Sequence, residues 1–316
     1  MNLLFTIDFG KENFDLLEKE GHTVSFVDEF APARELTEQE KNCDVLICYN
    51  PFPKYPLSMF PNLKYIQLES VGFNHIPIED IRQRNMPIYH NFGQTKKPIA
   101  EWVMFLLLNI CKQGFAHQKQ QKDHVWHIIK NNLWELEGKT VTFLGAGNIA
   151  QETARKLKAF DAVTLALNLT DDPAPYIDTV YTMDHMEEIL PQTDILICCL
   201  PATDKTYHML NRQTLGMMKD DSVFINISRG AVVNEADLCA LLDEGKFRGV
   251  GLDVFEVEPL PKDSPLWDCD RVYVTPHTAI ESDLSYARVF DMIHTNINRY
   301  MEGLDPLYPV HYERGF

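Results

Sequence analysis

The sequence has little positive charge. Among its 316 residues, 29 lysines and arginines stand against 46 aspartates and glutamates, and the formal net charge is −17. Nucleic acids and anionic membranes are bound by basic surfaces, because cationic side chains neutralise their phosphates. The composition therefore predicts neither class of partner. A small anionic substrate stays open, since one arginine is enough to bind a carboxylate within an acidic protein.

The chain also lacks the cysteine spacing of a disulfide framework or a zinc site. Its seven cysteines are odd in number and include no C-x-x-C pair, so we predict no metal and a reduced, cytoplasmic setting. The longest apolar run, VMFLLLNIC, is far shorter than the ~20 residues of a membrane span. The N-terminal MNLLFTIDFGKENF has no basic segment before an apolar core, and is expected to form a first strand, not a signal peptide.

Short apolar runs alternate with helical patterns along the chain. In the first third, the runs are MNLLFTI, HTVSFV, DVLICYN, KYIQLES and MPIYHN; from Lys139 onward they are KTVTFLG, AVTLALN, DILICCLP, SVFINIS, RGVGLDVF and RVYVTP. Alternation of this kind is typical of parallel sheets whose strands are joined by crossover helices. The sequence therefore predicts an α/β protein with two sets of strands.

The stretch between the two sets of strands is different. KPIAEWVMFLLLNICKQ (97–113) is apolar on nearly every face, which predicts a helix buried all round. The polar segment that follows, HQKQQKDHVWHIIKNN, carries interspersed aromatic residues. It fits either a solvated helix or an excursion that packs on a partner subunit, and the sequence leaves both open.

A glycine-rich turn opens the second set of strands. Gly145, Gly147 and Ala150 form G-x-G-x-x-A directly after the strand KTVTFL and before the helical NIAQETARKLKAF. In this context the first glycine permits the tight turn and the second lets the backbone approach a pyrophosphate. The helix N-terminus adds free N–H groups and a partial positive charge. The turn predicts dinucleotide binding; the alternative is an ordinary strand-turn-helix.

The choice between NAD and NADP depends on the end of the following strand. An acidic residue there binds the ribose hydroxyls of NAD, but AVTLALN ends on Asn168, followed by Leu169 and Thr170. An amide does not repel a 2′-phosphate, and Thr170 is a candidate donor to one. No lysine or arginine is adjacent, and Asp171 and Asp172 add negative charge. We predict NADP or NAD, with a slight preference for NADP.

Charged or titratable residues follow three later strands. Arg229 comes after SVFINIS, Glu258 after RGVGLDVF, and His277 after RVYVTP. If these strands are neighbours in one parallel sheet, all three side chains lie at the same edge. Histidine transfers protons near neutral pH, a carboxylate on its other ring nitrogen fixes its tautomer, and arginine binds a carboxylate bidentately. The set suits hydride transfer to a 2-oxo acid, although each residue alone is more often structural.

Four motifs, in order, resemble the D-isomer-specific 2-hydroxyacid dehydrogenase family. They are FLGAGNIAQ, NISRGAVVNEADL, DVFEVEPLPKDSPLW and VTPHTA, and ESVGFNHI and IAEWVMFLLL are similar to the family's substrate-domain loop and interdomain helix. The resemblance implies two doubly wound parallel-sheet (Rossmann-like) domains, with the cofactor domain inserted into a split substrate domain. The substrate-binding domain is expected at 1–95 plus 290–316, the dinucleotide-binding domain at 96–289, and the active site in the cleft. The family is usually dimeric, so a homodimer is expected.

The resemblance also implies roles for individual residues. His277 is expected to be the acid/base and Glu258 its partner, whereas Arg229 binds the substrate carboxylate together with the backbone amides of Val71 and Gly72.

Further residues are expected to contact the cofactor. The resemblance places Asn148 and Ile149 under the pyrophosphate and Asp253 at the nicotinamide carboxamide. The other expected cofactor contacts are Gly145, Gly147, Asn168, Leu200 and Pro201. Asn148 stands where the family usually has arginine, and Asn168 where it usually has the ribose-binding acid.

The favoured function is a cytoplasmic NAD(P)-dependent oxidoreductase that interconverts a small 2-oxo acid and its D-2-hydroxy acid. Glyoxylate, hydroxypyruvate, pyruvate and branched-chain oxo acids all remain candidates, and a phosphoglycerate dehydrogenase-like enzyme is a further alternative. A second class is a nucleotide-sensing, non-enzymatic binding protein on the same fold, as in the carboxy-terminal binding protein corepressors. The three residues by themselves do not separate these two classes.

Overall fold

The computed structural model describes residues 1–73, 75–130 and 132–310, and the chain divides into two compact units. The first unit combines Met1–Thr95 with Ser282–Phe316, and the second is Lys96–Glu281. The second unit is thus inserted into the first in sequence. The junction expected at 289–290 falls inside a helix, Ser285–Met301. The boundary between the two units lies before that helix, at 281–282.

Twelve strands and ten α-helices occur in the described residues. The strands are β1 (Asn2–Phe5), β2 (Thr23–Phe26), β3 (Val45–Cys48), β4 (Tyr65–Leu68), β5 (Ile88–Tyr89), β6 (Thr140–Leu144), β7 (Val163–Asn168), β8 (Thr179–Thr182), β9 (Ile195–Cys198), β10 (Ser222–Asn226), β11 (Phe247–Leu252) and β12 (Val272–Val274). The helices are α1 (Lys11–Lys19), α2 (Glu38–Lys41), α3 (Ile78–Gln83), α4 (Lys96–Cys111), α5 (Gly114–Lys122), α6 (Asn148–Leu157), α7 (Met186–Ile189), α8 (Arg212–Gly216), α9 (Glu235–Asp243) and α10 (Ser285–Met301).

The first unit contains a parallel five-stranded sheet in the order β2-β1-β3-β4-β5. These are the five strands that the sequence predicts. Every residue of β3 and β4 is buried, and β3 is a continuous apolar run, as expected for a strand covered on both faces. One face packs against α10, through apolar side chains that include Ile293 and Ile297.

A buried amide pair joins the C-terminal helix to this sheet. Asn296 of α10 donates from Nδ2 to Oε1 of Gln67 in β4 at 2.7 Å, and Gln67 donates in turn to the carbonyl of Tyr89. Asn296 Oδ1 accepts from the N–H of Leu307. Buried amides are stable only when they are paired in this way. The returning segment is therefore an integral part of the first unit.

The second unit contains a parallel seven-stranded sheet in the order β12-β11-β10-β9-β6-β7-β8. Starting from β8, the order is that of a dinucleotide-binding fold with one strand added, and it reverses between β6 and β9. The sequence predicts six of the seven strands. It misses β8, whose residues TVYT are short, partly polar and at the sheet edge.

Helix α4 is less enclosed than its composition predicts. Val103, Leu106 and Leu107 are buried in the core of the second unit, but Phe105 is 47% exposed. The prediction that this helix is buried on all sides is therefore wrong at Phe105. No single helix in the described ranges is long and apolar enough to cross a membrane; α4 and α5 meet length and composition criteria only jointly, across a 67° bend.

The polar segment after α4 is helical only in part. Helix α5 ends at Lys122, and the described residues that follow include exposed apolar side chains, with Trp126 97% exposed. Trp134 packs within the second unit: the Lys139 ammonium lies 4.2 Å and the Arg248 guanidinium 4.3 Å from the centroid of its ring. The segment is therefore not one continuous solvated helix, and its packing on a partner subunit stays a prediction.

Candidate active site

The glycine turn has the geometry that a pyrophosphate requires. Gly145 follows β6 with φ +92°, a left-handed conformation that side chains rarely adopt. Gly147 is the N-cap of α6 and offers no side-chain cap, and a Cβ built on it would meet no described atom within 4 Å. The first N–H groups of α6, including those of Asn148 and Ile149, have no partner within the helix, and the helix dipole favours an anion at this end.

The point where the strand order reverses brings a second predicted segment to this turn. A Cβ on Gly145 would lie 3.3 Å from the carbonyl oxygen of Cys199 and 3.5 Å from Cδ2 of Leu200. Pro201 follows, and its carbonyl accepts a hydrogen bond from the hydroxyl of Thr206 at 2.6 Å. In open α/β sheets the dinucleotide binds at this reversal, so the turn and the end of β9 fit an NAD(P) cofactor.

Asn168 is the last residue of β7 and pairs in register with Thr182 of β8. The hydroxyl of Thr170 donates to Oδ2 of Asp172 at 2.8 Å. Because a hydroxyl has one proton, the predicted donation from Thr170 to a 2′-phosphate is unavailable in this conformation. The amide of Asn168 lies at this strand end and can hydrogen-bond a ribose hydroxyl or a 2′-phosphate.

The three charged or titratable side chains follow three adjacent strands. β10, β11 and β12 are neighbours in one parallel sheet, and Arg229, Glu258 and His277 lie in the loops after their carboxyl ends. The condition that the sequence interpretation required is therefore met by the sheet order. All three side chains are solvent-exposed.

Glu258 and His277 form a hydrogen-bonded pair. His277 Nδ1 lies 2.8 Å from Glu258 Oε2, and the other carboxylate oxygen accepts from the N–H of Phe255 at 3.0 Å. A carboxylate accepts only, so the imidazole donates from Nδ1 and Nε2 is the nitrogen left for other chemistry. His277 has φ +50°, a strained conformation for a side-chain-bearing residue, of the kind that concentrates at functional sites.

The turn that carries Arg229 is organised by Asn226, the last residue of β10. Asn226 Oδ1 accepts from the N–H and hydroxyl of Ser228, and its Nδ2 donates to the carbonyl of Arg229 at 3.1 Å. Gly230 then packs directly on the next loop, since a Cβ there would lie 1.8 Å from the carbonyl carbon of Phe255. The loops after β10 and β11 are thus in backbone contact.

Asp253 is 1% exposed and supports the loop that carries His277. Its carboxylate accepts from the hydroxyl of Thr275 at 2.6 Å and from the N–H groups of Thr278 and Ala279, each at 3.0 Å. Trp102 donates from Nε1 to the same Thr275 hydroxyl. Asp253, expected from the sequence at the cofactor, thus has a second, structural role that the sequence does not predict. A sequence signal for this role is Thr275, a hydroxyl donor two residues before His277.

A reciprocal pair of glutamates adjoins Glu258. The N–H of Glu235 donates to Glu256 Oε1 at 2.8 Å, and the N–H of Glu256 donates to Glu235 Oε1 at 2.5 Å. His208 Nε2 lies 3.2 Å from Glu256 Oε1. Burial raises the pKa of Glu235, and the neighbouring Glu256 and Glu258 raise it further. The sequence does not predict this pair, because it joins two segments 21 residues apart.

The predicted carboxylate-binding amides belong to the first unit. Val71 and Gly72 follow β4, at the carboxyl edge of the five-stranded sheet. Ser70 donates from Oγ to the carbonyl of Gly72 at 2.8 Å, and His90 Nδ1 lies 2.9 Å from the carbonyl of Val71. Their role in substrate binding remains a prediction. In the described residues, no group of three or more His, Cys, Asp or Glu side chains is placed to hold a metal ion.

Comparison with known proteins agrees with this geometry. The family model described as D-isomer specific 2-hydroxyacid dehydrogenase, NAD binding domain, matches residues 104–279. A glyoxylate reductase of Thermofilum pendens is 31% identical over 287 residues, covering 88% of this chain and 84% of that protein.

Two solved structures are similar over nearly the whole length. One is an NADPH-dependent glyoxylate/hydroxypyruvate reductase from Sinorhizobium meliloti in complex with NADP and sulfate, with TM-score 0.82, 27% identity and 99% of each chain covered. The other is a D-isomer specific 2-hydroxyacid dehydrogenase from Xanthobacter autotrophicus in complex with NADPH, with TM-score 0.82, 25% identity and 99% of each chain covered. The chain therefore belongs to the D-isomer specific 2-hydroxyacid dehydrogenase family and is an NAD(P)-dependent oxidoreductase acting on a 2-oxo or 2-hydroxy acid.

Proposed function

We propose that Arg229, Glu258 and His277 perform the reduction of a small 2-oxo acid to the D-2-hydroxy acid. The observation that carries the proposal is the 2.8 Å contact between His277 Nδ1 and Glu258 Oε2, in loops after adjacent strands. A histidine whose one nitrogen is fixed by a carboxylate offers its other nitrogen as a positioned acid or base. Arg229, after the next strand of the sheet, supplies a cation for the substrate carboxylate.

The proton step falls to His277. When bound, the reduced nicotinamide supplies the hydride that adds to the 2-carbon of the substrate. His277, doubly protonated, transfers the proton on Nε2 to the carbonyl oxygen, which becomes the hydroxyl. His277 keeps its Nδ1 proton, which stays hydrogen-bonded to the Glu258 carboxylate, and this carboxylate stabilises the imidazolium before transfer. The reverse reaction uses neutral His277 as the base.

Substrate binding is assigned to donors that recognise a carboxylate. The planar guanidinium of Arg229 binds both carboxylate oxygens, which a lysine ammonium cannot do. The backbone N–H groups of Val71 and Gly72 are proposed as further donors to a carboxylate. Glyoxylate and hydroxypyruvate are the proposed first substrates, because similar proteins are named for these two acids. The alternative of a non-enzymatic corepressor-type protein is not favoured.

We propose that the protein prefers NADP to NAD as its cofactor. Asn168 carries no charge that would repel a 2′-phosphate, and the two similar structures named above contain NADP or NADPH. The remaining proposed cofactor contacts are Gly145, Gly147, Asn148, Ile149, Leu200, Pro201 and, for the carboxamide, Asp253.

We further propose that the protein is a cytoplasmic homodimer. The support for the dimer is the segment after α5, where Val125, Trp126 and Ile128 are 53%, 97% and 66% exposed. Large apolar side chains exposed together mark interaction surfaces. Size-exclusion chromatography with light scattering, on the parent and on Trp126→Ser, tests this assignment: the variant should shift toward monomer.

The decisive experiment assays purified protein with glyoxylate, hydroxypyruvate, pyruvate and a branched-chain 2-oxo acid, each with NADH and NADPH. The parent should reduce at least one acid. His277→Ala should lower kcat by ~10²–10⁴-fold while still binding reduced cofactor. If His277→Ala matches the parent rate on every acid, the assigned proton donor is wrong.

A further inference from the structure

The loop after β4 has three consecutive carbonyl groups that are each held by a hydrogen bond. The carbonyl of Ser70 accepts from the N–H of Asn91 at 2.9 Å. The carbonyl of Val71 accepts from His90 Nδ1 at 2.9 Å, and that of Gly72 accepts from Ser70 Oγ at 2.8 Å. Two of the three donors come from the residues that immediately follow β5, the neighbouring strand.

Fixing a carbonyl also fixes the N–H on the other side of the same peptide. In a planar trans peptide the C=O of one residue and the N–H of the next point in opposite directions. The anchored carbonyls of Ser70 and Val71 therefore direct the N–H groups of Val71 and Gly72 away from β5. These are the two amides proposed above as donors to the substrate carboxylate.

His90 is the central anchor of this row. A carbonyl can only accept, so His90 carries its proton on Nδ1 and donates to Val71. The side chain is 7% exposed, and its ring stacks with that of Phe92 at 5.6 Å between centroids. Its own N–H donates to the carbonyl of Tyr308 at 3.0 Å. Backbone pairing and ring stacking thus hold the imidazole in place.

We infer that His90 is a positioning residue for substrate recognition: it orients the Val71–Gly72 peptide so that the Gly72 N–H is presented to the carboxylate of a 2-oxo acid. The inference rests on the proposed substrate-binding role of Val71 and Gly72. His90 touches neither the substrate nor the cofactor in this assignment. Substitution of His90 is therefore expected to weaken binding of the substrate carboxylate and to leave cofactor binding unchanged.

The test compares His90→Leu with His90→Asn. Leucine removes the donor, whereas the Nδ2 of asparagine can replace Nδ1. With NADPH as reductant, His90→Leu should raise the KM for glyoxylate about tenfold or more, the size expected for losing one hydrogen bond to a charged group. The KM for NADPH should stay within about twofold. The inhibition constant of oxalate, a carboxylate probe, should rise in parallel, and His90→Asn should recover most of the parent affinity.

His22→Leu is the matched control, since His22 lies in the same unit beside the N-terminal amine, at 3.5 Å. It should leave both KM values unchanged. If His90→Leu does not fold, His90→Phe replaces it, because phenylalanine keeps a planar ring that can stack on Phe92 but has no Nδ1 donor for the Val71 carbonyl; a raised KM for glyoxylate is again expected.

Three results would overturn the inference: a parent-like KM for glyoxylate in the variant that folds, equal loss for glyoxylate and NADPH, or no recovery in His90→Asn. A parent that reduces no 2-oxo acid would instead overturn the proposed function. An active parent with a silent His90→Leu leaves the proposed function standing and removes His90 from it.

Discussion

Replacing Gly230 with alanine should separate the loops that carry Arg229 and Glu258. The added Cβ would lie 1.8 Å from the carbonyl carbon of Phe255, 2.0 Å from its oxygen and 2.3 Å from the nitrogen of Glu256. Carbon atoms in contact normally stay about 3.5–4.0 Å apart. The two backbones must therefore move by more than about 1.5 Å. No flexible side chain is available to absorb that movement, because all three contacted atoms belong to the main chain.

The displacement should affect activity more than stability. Overpacking of this kind typically costs about 1–3 kcal/mol. Misplacing reacting groups by about 1 Å lowers rates by around 10²-fold. We expect kcat/KM for glyoxylate with NADPH to fall by about 10²-fold or more, because the Phe255 N–H that orients Glu258 moves with its loop. The affinity for NADPH, measured by fluorescence titration, should change little if the turn at Gly145–Gly147 binds it.

Gly216→Ala is the matched control. Gly216 ends α8 in the same unit, and a Cβ there meets no described atom within 4 Å. Alanine in a helix is more favourable than glycine by up to about 1 kcal/mol, so urea unfolding should show equal or greater stability and unchanged activity. The reasoning is refuted if Gly230→Ala keeps the kcat/KM and the unfolding midpoint of the parent.

Three further predictions follow from individual contacts. Arg229→Lys should lower kcat/KM for glyoxylate by about tenfold or more with an unchanged KM for NADPH, because the bidentate fork is lost; equal kinetics would remove Arg229 from substrate binding. Asn168→Asp should shift the ratio of kcat/KM values toward NADH, and no shift would mean that this strand end does not contact the ribose. The Arg34 guanidinium holds the pKa of Glu40 below its usual range. Its stabilising contribution is therefore present above the ordinary carboxyl pKa of about 4.3 and lost as pH falls through the lower folded value. Glu40→Gln should cost about 1–3 kcal/mol in urea unfolding at pH 7 and less at pH 3, and a deficit independent of pH would contradict this account.

Sequence periodicity predicted eleven of the twelve strands, because buried parallel strands are continuous apolar runs between turns. β9 and β10 are buried at every position and read as apolar runs. β8 was missed since an edge strand is covered less completely, and its four residues carry no such run. Helix α4 was predicted to be more buried than it is, because composition gives no information on which apolar residue, such as Phe105, faces solvent.

For the candidate site, the sequence provided the residue types and their positions after strands. The sequence does not predict the contacts that hold these residues in place. The hydrogen bond between Thr275 and Asp253 connects two loops, and the anchoring of Val71 by His90 connects residues 19 positions apart. Each depends on backbone direction after a turn, which local patterns do not specify.

The sequence by itself determined the α/β class, the glycine turn and the presence of an arginine, a glutamate and a histidine at strand ends, because these depend on local periodicity and chemistry. Only the tertiary structure decided that β10, β11 and β12 are neighbours, that Glu258 meets His277 at 2.8 Å, and that Gly230 packs on Phe255. The physical reason is that strand order and loop contact arise from packing between segments far apart in the chain, where each position is fixed by the others.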